Sequence, residues 1–278
     1  MQTARTTGLK TSASAQSPAR SSLRDLETRD YGDCPVHGRF LQAIHRGGAA
    51  YHYAYRCPVC AREERERALW GRSGIPQRFR SKTLADYRAT CPGQKQALAS
   101  AHAFADQIEA SLAQGRTMIL CGNPGTGKTH IACAIGGECI SAGKTAIFTS
   151  LAEIIDRVFS TWRSRSSSSG AAGDPLEALA TVDLLIIDEI GGAGGSDAEK
   201  RLMFQLLNRR YEDVRSTILI SNLRPDALAK TLGERTVDRF RETGEMIPFT
   251  WHSYRAMARE LAELPDDTQV AQRGQVNA

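Results

Sequence analysis

The eight residues Gly122 to Thr129, GNPGTGKT, constrain this 278-residue chain more than any other stretch. They match G-x-x-x-x-G-K-S/T at every fixed position. They also lie where that pattern has structural meaning: a short apolar strand, Thr117 to Leu120, precedes them, and a helical segment with Ile131, Ala132 and Ile135 on one face follows. Gly122, Gly125 and Gly127 permit backbone turns that side chains would block. The N–H groups freed by those turns point inward around phosphate oxygens, aided by the helix N-terminus. Lys128 places an ammonium for the β- and γ-phosphates, and Thr129 offers a hydroxyl to magnesium. A chance glycine-rich loop is the alternative, and the flanking strand and helix argue against it. ATP and Mg²⁺ are the expected ligands.

A second feature lies about 60 residues downstream, where LLIIDE (184–189) is a continuously apolar run ending in two acids. Such a run suits a strand covered on both faces. Asp188 at its end can hold the magnesium through water. Glu189 can polarise an attacking water as general base. Read without that context, the two are ordinary strand-end acids. Asn222 ends the next apolar run, STILISN, where an amide can orient the lytic water or serve only as a turn residue.

Around these motifs the chain alternates between helical and strand patterns, which predicts an α/β fold with a parallel sheet. Five strands are expected: 117–120, 145–150, 184–189, 216–222 and 246–250. One helix is expected to carry Ala97, Leu98, Ala101, Phe104, Ala105, Ile108 and Leu112. Ser150 with Glu153 forms a capping-box signature, and Ser196 with Glu199 forms another. RSRSSSSGAAGDP (163–175) reads as a flexible loop.

The organisation along the chain divides into a disordered basic leader (1–30), a small front module (31–66), a connector (67–93), the α/β domain (94–262) and a disordered polar tail (263–278). Residues 1–82 carry 15 Lys and Arg against 7 Asp and Glu, while the remainder carries 21 against 24, so the positive charge sits at the front. A basic segment of this kind can attract nucleic acid or an acidic partner, or can simply keep an arm soluble. No run approaches the roughly 18 apolar residues of a membrane span, and no apolar signal-peptide core opens the chain. Seven unevenly placed cysteines suggest no disulfide framework, which fits a reduced, cytoplasmic setting.

Within the front module, Cys34-Pro-Val-His37 and Cys57-Pro-Val-Cys60 are two ligand pairs separated by 19 residues. Knuckles of this kind suit a tetrahedral zinc site with three thiolates and one imidazole. His45 and His52 lie between the pairs as possible substitutes, and reduced, unligated cysteines are the alternative. The span is too short for an independent core, so metal would supply much of its folding free energy. Tyr51, Tyr53 and Tyr55 alternate beside Arg46 and Arg56. Such a row can stack bases on a small sheet or pack within a small ribbon. Cys91, Cys121, Cys133 and Cys139 read as core or half-buried residues.

The stretch from about Arg72 to Arg259 resembles the DnaC-type replicative helicase loaders, AAA+ ATPases related to the DnaA initiator and to the IstB transposition ATPases. The resemblance rests on RSGIPQRF, DYRATCPGQKQAL, GNPGTGKTH, VDLLIIDEIG, LGERTVDRFR and WHSYR, in that order. It implies an AAA+ core with a five-stranded parallel sheet in three αβα layers. It brings Asn123, Pro124, Thr126 and His130 into the nucleotide-binding set. It implies that Asn222 is sensor 1 and that the GERTVDR segment carries an arginine finger. Arg239 is the favoured finger and Arg235 its rival, four residues apart on one helix face, the bland alternative being two solvated arginines. The finger would reach the γ-phosphate of a neighbouring subunit, implying self-association through ATP. Arg255 of WHSYR resembles sensor 2. Only 28 residues follow Thr250, too few for a full helical lid.

The function implied is ATP-dependent loading of a hexameric DnaB-type helicase onto single-stranded DNA. Two alternatives stand beside it: an IstB-like ATPase regulating transposition targets, and a nucleotide-gated DNA-binding adaptor with little turnover. The Cys/His module departs from the best-known loaders, so its partner, whether helicase, DNA or another replication protein, is left open by the resemblance.

Overall fold

In the computed structural model of the chain, the structure describes residues 27–46, 48–165, 175–191 and 197–254. The basic leader as far as residue 26, most of the serine-rich loop, Ser196 with its proposed cap, Arg255 and the polar tail lie outside the described residues. Two compact units emerge, one up to Glu64 and one from Arg65 onward.

The front unit is a three-stranded antiparallel sheet, β1 (Thr28–Cys34), β2 (Gly38–Arg46) and β3 (Ala49–His52), in sequential order, followed by the start of helix α1 (Pro58–Arg72). Strand β1 begins three residues inside the span expected to be leader. The register shifts at Asp30/Tyr31, where β2 contributes an extra residue. Among the unit's described residues the buried apolar positions are Cys34, Ala43 and Cys57. Two of those three are thiols of the ligand pairs, so a hydrophobic core of ordinary size is absent from this part of the described chain.

In the second unit, helices α2 (Pro92–Ala105) and α3 (Ile108–Ala113) precede β4 (Thr117–Gly122), α4 (Lys128–Ser141), β5 (Ala146–Ser150) and α5 (Leu151–Arg165). Then come α6 (Pro175–Thr181), β6 (Leu184–Ile190), α7 (Asp197–Glu212), β7 (Ser216–Ser221), α8 (Pro225–Leu232), α9 (Glu234–Thr243) and β8 (Gly244–Phe249). The five strands β4 to β8 form one sheet, ordered β5-β6-β7-β4-β8, and every pair is parallel. Alternation along the strands divides the core in two. Met118, Leu120, Ile186 and Ile218 join one cluster with α4 and α2, while Ile119, Leu185, Ile187 and Leu219 join another with α5, α6 and α7. This is the three-layer αβα arrangement of an AAA+ P-loop fold, and β4 and β7 are buried at all six of their positions.

Three local outcomes refine the sequence reading. The expected helix through residues 97–112 is two helices, because Gln107 takes φ −118° and ψ 42° and restarts the chain at Ile108. The connector is built into the core: Ile75, Leu84 and Tyr87 join the buried cluster on the α4 side of the sheet. The Ser150–Glu153 box closes in both directions at 3.2 Å, Glu153 accepting from the Ser150 N–H and Ser150 Oγ accepting from the Glu153 N–H.

Arg210, in the last turn of α7, is completely buried. Its guanidinium donates to the carbonyls of Leu179, Ala180, Val182 and Ser216 and to the Thr217 hydroxyl. Burial, with Arg215 nearby, pushes its pKa down to about 9, so it stays charged at neutral pH. One cation thus ties the end of α6 to the start of β7.

Candidate functional site

The strand order sets the site. Strand β7 lies between β4 and β6, so the carboxyl ends of the three bring the Gly122 loop, Asn222 and Asp188 to one edge of the sheet. Asn222 is exposed immediately beyond β7.

The loop from Gly122 to Gly127 closes on the N-terminus of α4, with Lys128 as the first helical residue. Lys128 is buried, and its Nζ donates to the carbonyls of Gly122 at 2.8 Å and Asn123 at 2.6 Å. The ammonium therefore sits inside the curve of the loop. Gly125 and Gly127 have φ of 73° and 98°, and a Cβ on them would come within 2.1 Å of Ser253 Oγ and 2.4 Å of Tyr87 Cε2. Neither position admits a side chain, for reasons of both backbone and space.

The loop is held from both flanks of the domain. Tyr87 Oη and Trp251 Nε1 both donate to the Thr126 carbonyl, at 3.0 and 3.1 Å. The Tyr254 N–H donates to the Gly125 carbonyl at 2.9 Å, and Asn123 Nδ2 donates to the carbonyls of Thr250 and Trp251. Burial pushes the Tyr87 hydroxyl up to about 12, so it remains a donor. His130 Nε2 donates to the Thr83 carbonyl at 2.9 Å, and its ring meets Tyr87 edge-on at 5.8 Å. His130 thus braces the loop against the preceding segment. Tyr87, Trp251 and Ser253 were not singled out from the sequence, although DYRAT and WHSYR contain them.

Thr129 Oγ1 donates to Asp188 Oδ2 at 3.0 Å, which joins the two motifs expected to share magnesium. A hydroxyl and a carboxylate oxygen in contact at a phosphate loop are a donor set that fits a hard cation. Glu189 follows in an unusual conformation. Its φ is +62°, its N–H donates to Asp188 Oδ1 at 2.7 Å, and the β6–β7 register slips between Ile187 and Ile190. A bulge of this kind re-aims a side chain at a strand end. A glutamate in the left-handed region costs about 1–3 kcal/mol and persists only where its surroundings impose it. The exposed Glu189 carboxylate thereby leaves the strand beside Asp188.

Arg235 and Arg239 both lie on α9, but their surroundings differ. Arg235 is exposed, whereas Arg239 is half-buried with its guanidinium 5.1 Å from the Tyr211 ring centroid. Tyr211 is in turn anchored by donating to Glu242 Oε2 at 2.7 Å. The Arg239 Nη1 atom is buried without a hydrogen-bond partner.

In the front unit, Cys34, His37, Cys57 and Cys60 converge with all four donor atoms within 4.8 Å of one another. Cys34 Sγ lies 3.5 Å from Cys60 Sγ, and His37 Nδ1 lies 3.3 to 3.8 Å from the three sulfurs. Tetrahedral zinc with Zn–S near 2.3 Å requires edges of about 3.8 Å. The residues therefore fit a zinc ion. Hydrogen bonds from the His37 and Val36 amides hold the Cys34 thiol down at about 6, which favours the thiolate a metal needs. Hydrogen bonding to Cys34 and burial push Cys60 up to about 11. His45 and His52 are excluded from the cluster: His45 pairs with Asp30 at 2.7 Å, and His52 stacks on Tyr55. The outer nitrogen of His37, Nε2, faces Glu63 Oε1 at 3.3 Å. That contact orients the imidazole with Nδ1 toward the sulfurs. None of the seven cysteines is in a disulfide, and Cys121, Cys133 and Cys139 are buried. No helix among the described residues is long and apolar enough to cross a membrane.

Comparison with known proteins agrees with this geometry. The family of IstB-like ATP binding proteins matches residues 68–262. The replicative helicase loader DnaC of Escherichia coli (strain K12) is 34% identical over 207 residues, covering 73% of this chain and 82% of that protein. The crystal structure of the DnaC helicase loader superposes with a TM-score of 0.54 at 23% identity, covering 63% of this chain and all of that one. AMPPCP-bound DnaA from Aquifex aeolicus gives a TM-score of 0.54 at 21% identity over 68% of this chain and 56% of DnaA, a likeness of fold. With the phosphate loop, the acidic strand end and the sheet order in place, the chain belongs to the IstB/DnaC-like family of ATP-binding proteins.

Proposed function

We propose that the protein is an ATP-dependent loader of a hexameric DnaB-type replicative helicase onto single-stranded DNA, with ATP binding and hydrolysis as its switch. The observation that carries this reading is the relationship to DnaC over 82% of that protein's length. It is supported by a phosphate loop and acidic pair that meet at Thr129 and Asp188.

In this reading Lys128 and the loop amides, from Gly122 through Thr129, hold the triphosphate. Thr129 and Asp188 hold Mg²⁺, and Glu189 takes the proton of the attacking water while Asn222 orients that water. Arg239, with Arg235 as its rival, completes the site of an adjacent protomer, so ATP favours self-association. Arg255 reads the nucleotide within its own subunit. The front cluster holds structural zinc, and the protein works in the cytoplasm.

The match to IstB-like ATP binding proteins leaves a second reading beside this one, an ATPase that regulates the choice of transposition targets. Capture experiments separate the two. The tagged protein with ATP should retain a DnaB-type hexamer, and Lys128→Ala should lose that nucleotide dependence. Retention of a transposase with no retention of helicase, with or without ATP, would reject the loader.

A further inference from the structure

Four tyrosines of the front unit are exposed: Tyr31, Tyr51, Tyr53 and Tyr55, at 42, 56, 64 and 84%. That removes the alternative of an aromatic row packed inside a ribbon. The strand register shows what accompanies them. Arg29, Ile44 and Tyr51 are direct cross-strand partners and share one face. By the period of two, Arg46 follows Ile44 on that face, and Tyr31 follows Arg29 along the unbulged strand. The Arg39 guanidinium lies 4.2 Å above the Tyr31 ring. The adjacent row, Asp30, Ala43 and His52, faces the other way, and Asp30 is occupied there by His45. Asp33, the remaining acid of β1, sits at the knuckle end opposite Arg39. No ion pair among the described residues involves Arg39 or Arg46.

One side of the sheet therefore carries Tyr31, Tyr51, Arg39 and Arg46, while the fourth tyrosine, Tyr55, stacks on His52 of the row that faces the other way. The aliphatic residues of this face are Ile44 and Leu41, the cross-strand partner of Tyr31, both half-buried, a narrow strip rather than the broad apolar centre of a protein interface. Tyr53 lies just beyond β3, and its N–H donates to the Gln42 carbonyl at 2.8 Å, which continues the ladder. Tyr51 and Tyr53 therefore stand about 6.7 Å apart along the strand direction, and with arginines beside them they match successive bases and their phosphates instead. We infer that this face binds single-stranded nucleic acid by stacking bases on Tyr51 and Tyr53 while Arg46 and Arg39 meet the backbone, and that it does so without ATP. The inference rests on the loader reading only in naming single-stranded DNA as the strand; the surface belongs to the front unit and uses none of the nucleotide site.

The test is fluorescence anisotropy of the full-length, zinc-replete protein with a labelled deoxythymidine oligomer of about 20 nucleotides, in the absence of ATP. The Tyr51→Ala/Tyr53→Ala protein should bind at least about tenfold more weakly, since each stacked ring is worth roughly 5- to 150-fold. The Tyr51→Phe/Tyr53→Phe protein should stay within about threefold of wild type because the ring carries the stacking. Arg46→Ala should lower the log–log salt slope by about 0.7, the value for one single-strand phosphate contact. Equal binding by the double alanine protein overturns the inference, as does a phenylalanine protein that falls as far as the alanine one, or a wild type that binds no oligomer. Loss of helicase capture by the alanine protein with oligomer binding intact would make the face a protein interface and also overturn it. A wild type that binds the oligomer but never captures helicase sinks the loader reading and leaves this one standing.

Discussion

Arg210 gives the sharpest test of how the nucleotide-binding unit is held together. Its guanidinium serves five acceptors at complete burial, four of them backbone carbonyls on two separate segments. A buried acceptor left without a donor costs about 1–3 kcal/mol. Arg210→Met keeps most of the volume, excludes water and strands all four carbonyls, so the expected loss is at least about 4 kcal/mol. Arg210→Lys retains the charge and up to three donors, and should lose only about 2 kcal/mol. Arg210→Ala opens space that water can enter, and should fall between the two. Against a total stability of about 5–15 kcal/mol the methionine protein is severely weakened. Urea unfolding followed by far-UV circular dichroism reads this as a lower midpoint at unchanged slope. If packing rather than hydrogen bonding were the residue's contribution, methionine would be the mildest of the three changes. A methionine protein within about 1 kcal/mol of wild type refutes the reasoning.

Glu189→Gln should leave nucleotide affinity nearly unchanged and lower helicase-stimulated hydrolysis by about 10²-fold or more, as measured by phosphate release. Arg239→Ala should likewise spare binding and reduce stimulated turnover by about 10³-fold; a normal stimulated rate would remove it as the finger. Metal analysis of protein never exposed to chelator should find about one zinc per chain, the number the four converged ligands can hold. Glu63→Ala should then weaken zinc retention by about 10- to 100-fold in competition with a chromophoric chelator, while Glu63→Gln, which can still accept from His37 Nε2, should weaken it less.

How far the chain could be read without coordinates depended on whether the determining physics is local. The five strands, the phosphate loop and the Thr129–Asp188 pairing follow from apolar runs and glycine positions, which act over a few residues. The knuckles were equally legible, because an x₂ turn alone brings two ligands together. What escaped depends on distant partners. Arg209 and Arg210 are adjacent and chemically identical, yet one forms a surface pair with Glu177 and the other is completely buried. Helix periodicity puts Arg210 on the face of Met203, Leu206 and Leu207, but nothing local shows that carbonyls of a distant segment meet a cation there. The connector looked like a spacer because Gly74 and Pro76 interrupt it, while the burial of Ile75, Leu84 and Tyr87 is decided by a sheet that begins 30 residues later. Spacing also placed Arg235 and Arg239 on one helix face, and their different surroundings, Arg235 exposed and Arg239 half-buried over Tyr211, depend on a residue far away in sequence.

The shared carbonyl of Thr126 has a practical consequence. Its two donors come from Tyr87, before the sheet begins, and Trp251, after it ends. Trimming the polypeptide to the minimal strand-and-helix core would therefore unfasten the loop from both directions at once. Nucleotide occupancy should in turn tighten both flanks together, and limited proteolysis would register this as simultaneous protection of cleavage points on either side of the domain.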